Sequence, residues 1–143
     1  MAVIVHAQAG NTLEVMEEEE CLALLKGMVL GRVAVSIGAI PGVFPVNYAM
    51  SDGDIFFLTA AGTKLSAALC GVVVAFEIDE VDCENRRGWS VLAVGEAHEV
   101  VDEAEALTAR LALDPWAPGQ RNHLVRIRPT FLSGRRIGLA GPA

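Results

Sequence analysis

Four residues near the middle of the chain, Thr59, Gly62, Thr63 and Lys64, have the types and spacing to hold an anion. Two hydroxyls, the N–H groups of a turn entering a short helix and one ammonium can converge on a phosphate. Lys64 is one of only two lysines in a protein of formal net charge -7. A basic site kept against that overall charge predicts a phosphorylated ligand. The plainer reading is a strand-to-helix loop, with Gly62 for the turn, Thr63 as cap and Lys64 in solvent. The segment is not a P-loop, because the longer glycine-rich cradle is missing.

Fewer signals come from the remaining reactive side chains. Asn47, on a strand of apolar neighbours, can satisfy a buried backbone group or meet the polar edge of a ligand. Trp116, stiffened by Pro115 and Pro118, is better placed than Trp89 to wall a bound molecule. His6 falls in an N-terminal arm, His98 on a strand edge, and His123 at the start of a strand, where partial exposure and a hydrogen bond are expected. Glu77, Asp79, Glu80 and Asp82 read as a solvated strand end. Cys21, Cys70 and Cys83 form no CxxC pair, so no metal site is expected. Cys21 and Cys70 read as core residues and Cys83 as a loop residue. No serine–histidine–acid set is legible.

The elements that position these residues follow from periodicity. Residues 1–12 read as a loose arm. EEEECLALLK, over 17–26, has acids in its first turn and a lysine in its last, a helix that Gly27 stops. GRVAVSI alternates with period two and predicts a strand over 31–37. GAIPG turns the chain into a second strand from Val43 to Met50, and Asp52-Gly53 marks a hairpin into IFFLTA. A short helix over 63–69, a strand over 72–79 and a long strand over 88–101 follow, with Gly95 as a bulge or bend. Asp102 caps a helix to about Leu111, and two strands, 123–128 and 131–137, close the chain. Six or seven antiparallel strands with a few short helices predict a small β-barrel, since closure removes exposed edges.

Composition bounds the function. A chain of 143 residues, 52% apolar and 20% charged, is one globular domain, 1–143. The acidic balance argues against nucleic acid as a partner. Apolar runs such as 72–76 are too short to cross a membrane, and MAVIVHAQAG is unlike a secretory signal, so a cytoplasmic location is expected.

The helix ending LLKG, then GRVAVSI, FPVNY, DGDIFFLT, AAGTKL, VAFEIDE, GWSVLAVGEAHEV, PWAPG and SGRRI, stand in an order that resembles the pyridoxamine 5′-phosphate oxidase-like FMN-binding split barrels, in particular their small actinobacterial members. The resemblance runs from about residue 14 to residue 137. It implies a homodimer with FMN in a groove at the subunit interface, and an oxidoreductase passing electrons to a small molecule. Deazaflavin-dependent reduction, or non-catalytic flavin or haem binding, are its alternatives. By position it assigns Pro45, Val46, Asn47 and Tyr48 to the backbone along the flavin. Thr59, Thr63 and Lys64 fall to the phosphate and ribityl tail, Ser90 to a polar flavin contact, and Trp116 with Arg135 or Arg136 to contacts from the partner. The family's basic contact to the vitamin B6 substrate is matched here by Tyr48, so B6 oxidation is not implied.

Overall fold

β-branched and aromatic residues alternating with small or polar ones drive most of this chain into strands. The computed structural model describes residues 3–8, 11–60, 63–116 and 123–139. Eight strands and three helices run in the order β1 (Val3–Gln8), β2 (Asn11–Met16), α1 (Glu18–Gly27), β3 (Leu30–Ile37), β4 (Ile40–Ser51), β5 (Asp54–Thr59), α2 (Lys64–Ala68), β6 (Val72–Asp82), β7 (Arg87–Glu99), α3 (Glu103–Ala112) and β8 (His123–Leu139). All pairings are antiparallel. The order β8-β5-β4-β3-β6-β7 closes on itself through β7–β8, giving a six-stranded barrel, and the β1–β2 hairpin extends the sheet from β8. This is the split-barrel architecture. Among the described residues no helix is long and apolar enough to cross a membrane.

Three expectations about the strands are corrected. The arm over 1–12 contains β1 and most of a β2 that pairs with β8 from Asn11↔Leu139 to Met16↔Gly134. The turn after β3 is only Gly38-Ala39, both at positive φ (55° and 66°), so β4 begins at Ile40 rather than Val43. That two-residue left-handed turn matches the twist of a tight hairpin. The two closing strands are one strand, β8. Its pairing with β7 slips between Val94 and Gly95, where Phe131 and Pro129 are the successive partners. Thr130 is the extra residue, and the missing N–H of Pro129 sits where the ladder is already interrupted. Gly95 is required there, because a Cβ would lie 2.0 Å from the Arg128 carbonyl oxygen.

The core fills the barrel with Val33, Val35, Tyr48, Phe57, Phe76, Ile78, Val91 and Ile127, all buried. Cys21 and Leu25 of α1 and Leu69 beyond α2 join the same core. Each large apolar side chain so buried contributes about 1.5–3 kcal/mol. A smaller cluster of Phe56, Leu124 and Ala109 seats α3. Asp102 caps α3 as expected, accepting from the Glu105 N–H at 2.9 Å. Gly27 is the last residue of α1 rather than a left-handed stop, and Met28 leaves it extended. Cys70, expected in the core, is exposed.

Candidate functional site

β4 is paired with β3 from Ile40 to Asn47, but β5 joins its other side only from Tyr48↔Phe57 onward. Tyr48 donates its N–H to the Val29 carbonyl at 3.1 Å, on the β3 side. By alternation the backbone groups of Pro41, Val43 and Pro45 point the other way, to the uncovered edge. Two prolines on that side remove no bond from the ladder. Among the described residues no strand lies beside this stretch of β4, which leaves a slot that ends where β5 begins to cover it.

The sequence candidates distribute around this slot unevenly. Pro45 is exposed opposite Arg32, while the Val46 side chain packs against the core. Asn47 is a bracket: its Oδ1 accepts from the Trp116 N–H at 2.8 Å, and its Nδ2 donates to the Val29 carbonyl at 3.3 Å. Trp116 is thereby held beside β4 as a 63% exposed residue. Tyr48 can offer only its backbone here. Its side chain is buried, donates to the Leu25 carbonyl at 2.6 Å and meets Phe76 edge-on at 4.8 Å. Burial holds its phenol well above the ordinary range. Tyr48 anchors α1 to the barrel, and its side chain does not reach the slot.

At the far end of β5, the Thr59 side chain is 4% exposed, and its Oγ1 has no hydrogen-bond partner among the described residues. Thr59 shares the inward face of Ile55 and Phe57. A buried hydroxyl left unpaired costs about 1–3 kcal/mol, so it is the best-placed group here to receive a polar ligand atom. Thr63, by contrast, is a helix cap. Its Oγ1 accepts from the Ser66 N–H at 3.1 Å and donates to the Ala60 carbonyl at 3.0 Å. Lys64 opens α2; its side chain, like Gly62, lies outside the described residues.

Ser90 is elsewhere on the sheet. It sits between Asp79 of β6 and Arg135 of β8, on the barrel's outer face. Leu30↔Asn47 and Arg32↔Glu77 place Asn47, Leu30, Asp79 and Ser90 in one row across four strands. Three strand spacings separate Ser90 from Asn47, about 14 Å along the sheet. Ser90 lines a separate open groove of about 710 Å³ with Val81, Arg86, Arg87, Trp89 and Arg135. Arg136 is turned away from it and paired with Glu20.

Two clusters escaped the sequence reading. Glu77 and Asp79, expected at a solvated strand end, both pair with Arg32, at 3.2 and 3.3 Å. Burial, together with the hydrogen bond and charge of Asp79, pushes Glu77 up to about 7 against the pull of Arg32. His123 is directly opposite Thr59, and its Nδ1 lies 3.2 Å from Glu99 Oε1. Outward alternation of Arg32 and Glu77 on neighbouring strands was a usable signal for the first. The second depends on barrel closure.

The sequence profile of the family described as pyridoxamine 5′-phosphate oxidase matches residues 17–136. The chain belongs to this family. An uncharacterized protein of Mycobacterium tuberculosis is 33% identical over 135 residues, covering 91% of this chain and 89% of that one. Among solved structures, an FAD binding protein from Mycobacterium smegmatis superposes with a TM-score of 0.74 at 36% identity, covering 85% of this chain and 96% of that one. A conserved protein of unknown function from Corynebacterium diphtheriae gives 0.73 at 30% identity, covering 90% and 98%. For a pyridoxamine 5′-phosphate oxidase relative the match is nearly end to end, so the slot beside β4 lies within the shared architecture.

Proposed function

We propose that this chain binds a flavin, FMN, with the ring along the open edge of β4 and the phosphorylated tail toward Thr59. The observation that carries the reading is the uncovered β4 edge leading to a buried, unpartnered hydroxyl. The Val43 N–H and the Val43 and Pro45 carbonyls suit the polar rim of an isoalloxazine, and Trp116, bracketed by Asn47, supplies an aromatic wall. The bound flavin would supply the redox chemistry, and the chain would bind, orient and shield it. Transfer of electrons to a small acceptor is the activity that follows.

The site is completed by a second copy of the chain. Ser90 lies about 14 Å along the sheet from the β4 edge, and Arg135 is one strand further on, so one protomer does not bring them to its own slot. Further along the strands, beyond the Arg32–Glu77–Asp79 cluster, the outer sheet face is apolar where a monomer would be polar, with Val43 63%, Val73 69% and Phe131 54% exposed. Such a face is suited to burial in a homodimer. Vitamin B6 oxidation is not proposed, because the Tyr48 side chain that stands at the substrate position is committed to Leu25.

The test is the absorbance spectrum of the purified protein, mass analysis of whatever denaturation releases, and the sedimentation mass. Flavin bands with FMN mass from a dimer support the proposal. FAD is the second reading, favoured by the Mycobacterium smegmatis FAD binding protein at 36% identity. A deazaflavin or haem would be recognised by its own spectrum. A colourless protein that also refuses added flavin sinks the reading. Anaerobic reduction by a nicotinamide then tests the oxidoreductase step.

A further inference from the structure

Where β5 ends and β8 begins, three side chains from three strands share one inward face. The register pairs Thr59 of β5 with His123 of β8, and Val125, two residues on, pairs with Glu99 of β7. Thr59 and His123 are direct cross-strand neighbours, which sets their Cβ atoms about 5 Å apart. His123 Nδ1 lies 3.2 Å from Glu99 Oε1, and both side chains are partly exposed. Among the described residues no partner is recorded for Nε2, and none for the 96% buried Thr59 hydroxyl. A ring oriented through Nδ1 and an orphaned hydroxyl beside it are two groups waiting for the same third one.

We infer that His123, oriented by Glu99, forms with Thr59 a contact for a phosphate monoester, here the tail of the flavin. The inference rests on the flavin reading for that ligand, but the anion site stands on its own geometry. An imidazolium donates from both ring nitrogens, so Nδ1–H can stay with Glu99 while Nε2–H meets a phosphate oxygen. Thr59 Oγ1 then donates to a second oxygen, and its burial is explained. Glu99 acts through His123 and is a positioning residue.

The experiment has two arms. In the first, affinities for FMN and for riboflavin, which lacks the phosphate, are measured for the wild-type protein, His123→Ala, His123→Gln and Glu99→Gln. His123→Ala should lower the FMN-to-riboflavin affinity ratio about tenfold with riboflavin binding unchanged, the size expected for one charge-assisted hydrogen bond. His123→Gln and Glu99→Gln should lower it less. Variants that keep the wild-type ratio overturn the inference and leave the flavin reading intact. The second arm needs no flavin: millimolar inorganic phosphate should raise the melting temperature of the wild-type protein more than that of His123→Gln. If no flavin binds but this difference is seen, the anion site stands and the flavin reading falls. If neither ligand binds, both fall.

Discussion

Asn47 and Trp116 are joined by one 2.8 Å hydrogen bond between a strand side chain and a loop backbone. Through its amide nitrogen Asn47 also holds the Val29 carbonyl, so one side chain ties together the exit of α1, the edge of β4 and the segment after α3. Asn47→Ala should expose the Trp116 N–H to solvent exchange, cost about 1–2 kcal/mol and weaken flavin binding. Asn47→Asp keeps the acceptor and should preserve the Trp116 protection. Hydrogen exchange at that single amide separates the two variants. Equal protection in Asn47→Ala would show that the bracket does not hold the loop.

Thr59→Val should move stability and affinity in opposite directions. Removing an unpaired buried hydroxyl while keeping the shape should stabilise the ligand-free protein by about 1 kcal/mol. The same change should weaken FMN binding about tenfold. Thermal unfolding with and without FMN reads both effects at once. A variant destabilised without ligand would mean that the hydroxyl already has a partner.

The Arg32–Glu77–Asp79 cluster makes stability depend on pH. Glu77 titrates at about 7 in the fold, against an ordinary 4.5, so between these values the folded state binds the proton more tightly than the unfolded chain does. Stability should therefore fall as pH rises through that window and level off above it. The group is over a third exposed, and solvent screening limits the effect to about 1 kcal/mol. Urea unfolding across the window should show this loss in the wild-type protein and its absence in Glu77→Gln. Parallel profiles for the two proteins would assign the pH dependence to other groups.

Gly95→Ala should be among the most damaging small substitutions in the barrel. Its Cβ would have to displace the Arg128 carbonyl, a backbone shift worth about 3 kcal/mol. The melting temperature should drop accordingly, and amide protection should be lost first between Val94 and Phe131. An unchanged melting temperature would mean that the bulge can move.

Local features were legible from the residues alone. The alternation of β3, the Asp52-Gly53 turn, the Asp102 cap and the bend at Gly95 are each written within a few neighbours. What was not legible depends on partners far along the chain. β1 and β2 become strands only because β8 offers an edge to Asn11–Met16. Pro129 breaks a strand in sequence but falls opposite a bulge in the fold. At the site, the same alternation that turns Phe44 and Val46 inward also turns Tyr48 inward, which argued against its side chain from the start. Thr59 was placed by its type and spacing and again by resemblance, yet its lack of a partner among the described residues is a property of the packed barrel. Glu99 and His123 are brought together by the β7–β8 pairing.

β8 also governs the order in which the protein can be made. One strand bonds β2, β5 and β7, so Met16 and Ile55 have no lasting ladder on that side until residues 123–139 have emerged from the ribosome. Before then, the nascent chain presents the unpaired edges of β5 and β7 together. Contacts this distant in sequence make folding slow, on the order of milliseconds to seconds, and those edges are open to neighbouring chains meanwhile. Yield should therefore respond to synthesis rate and temperature more steeply than the stability of the finished barrel would suggest.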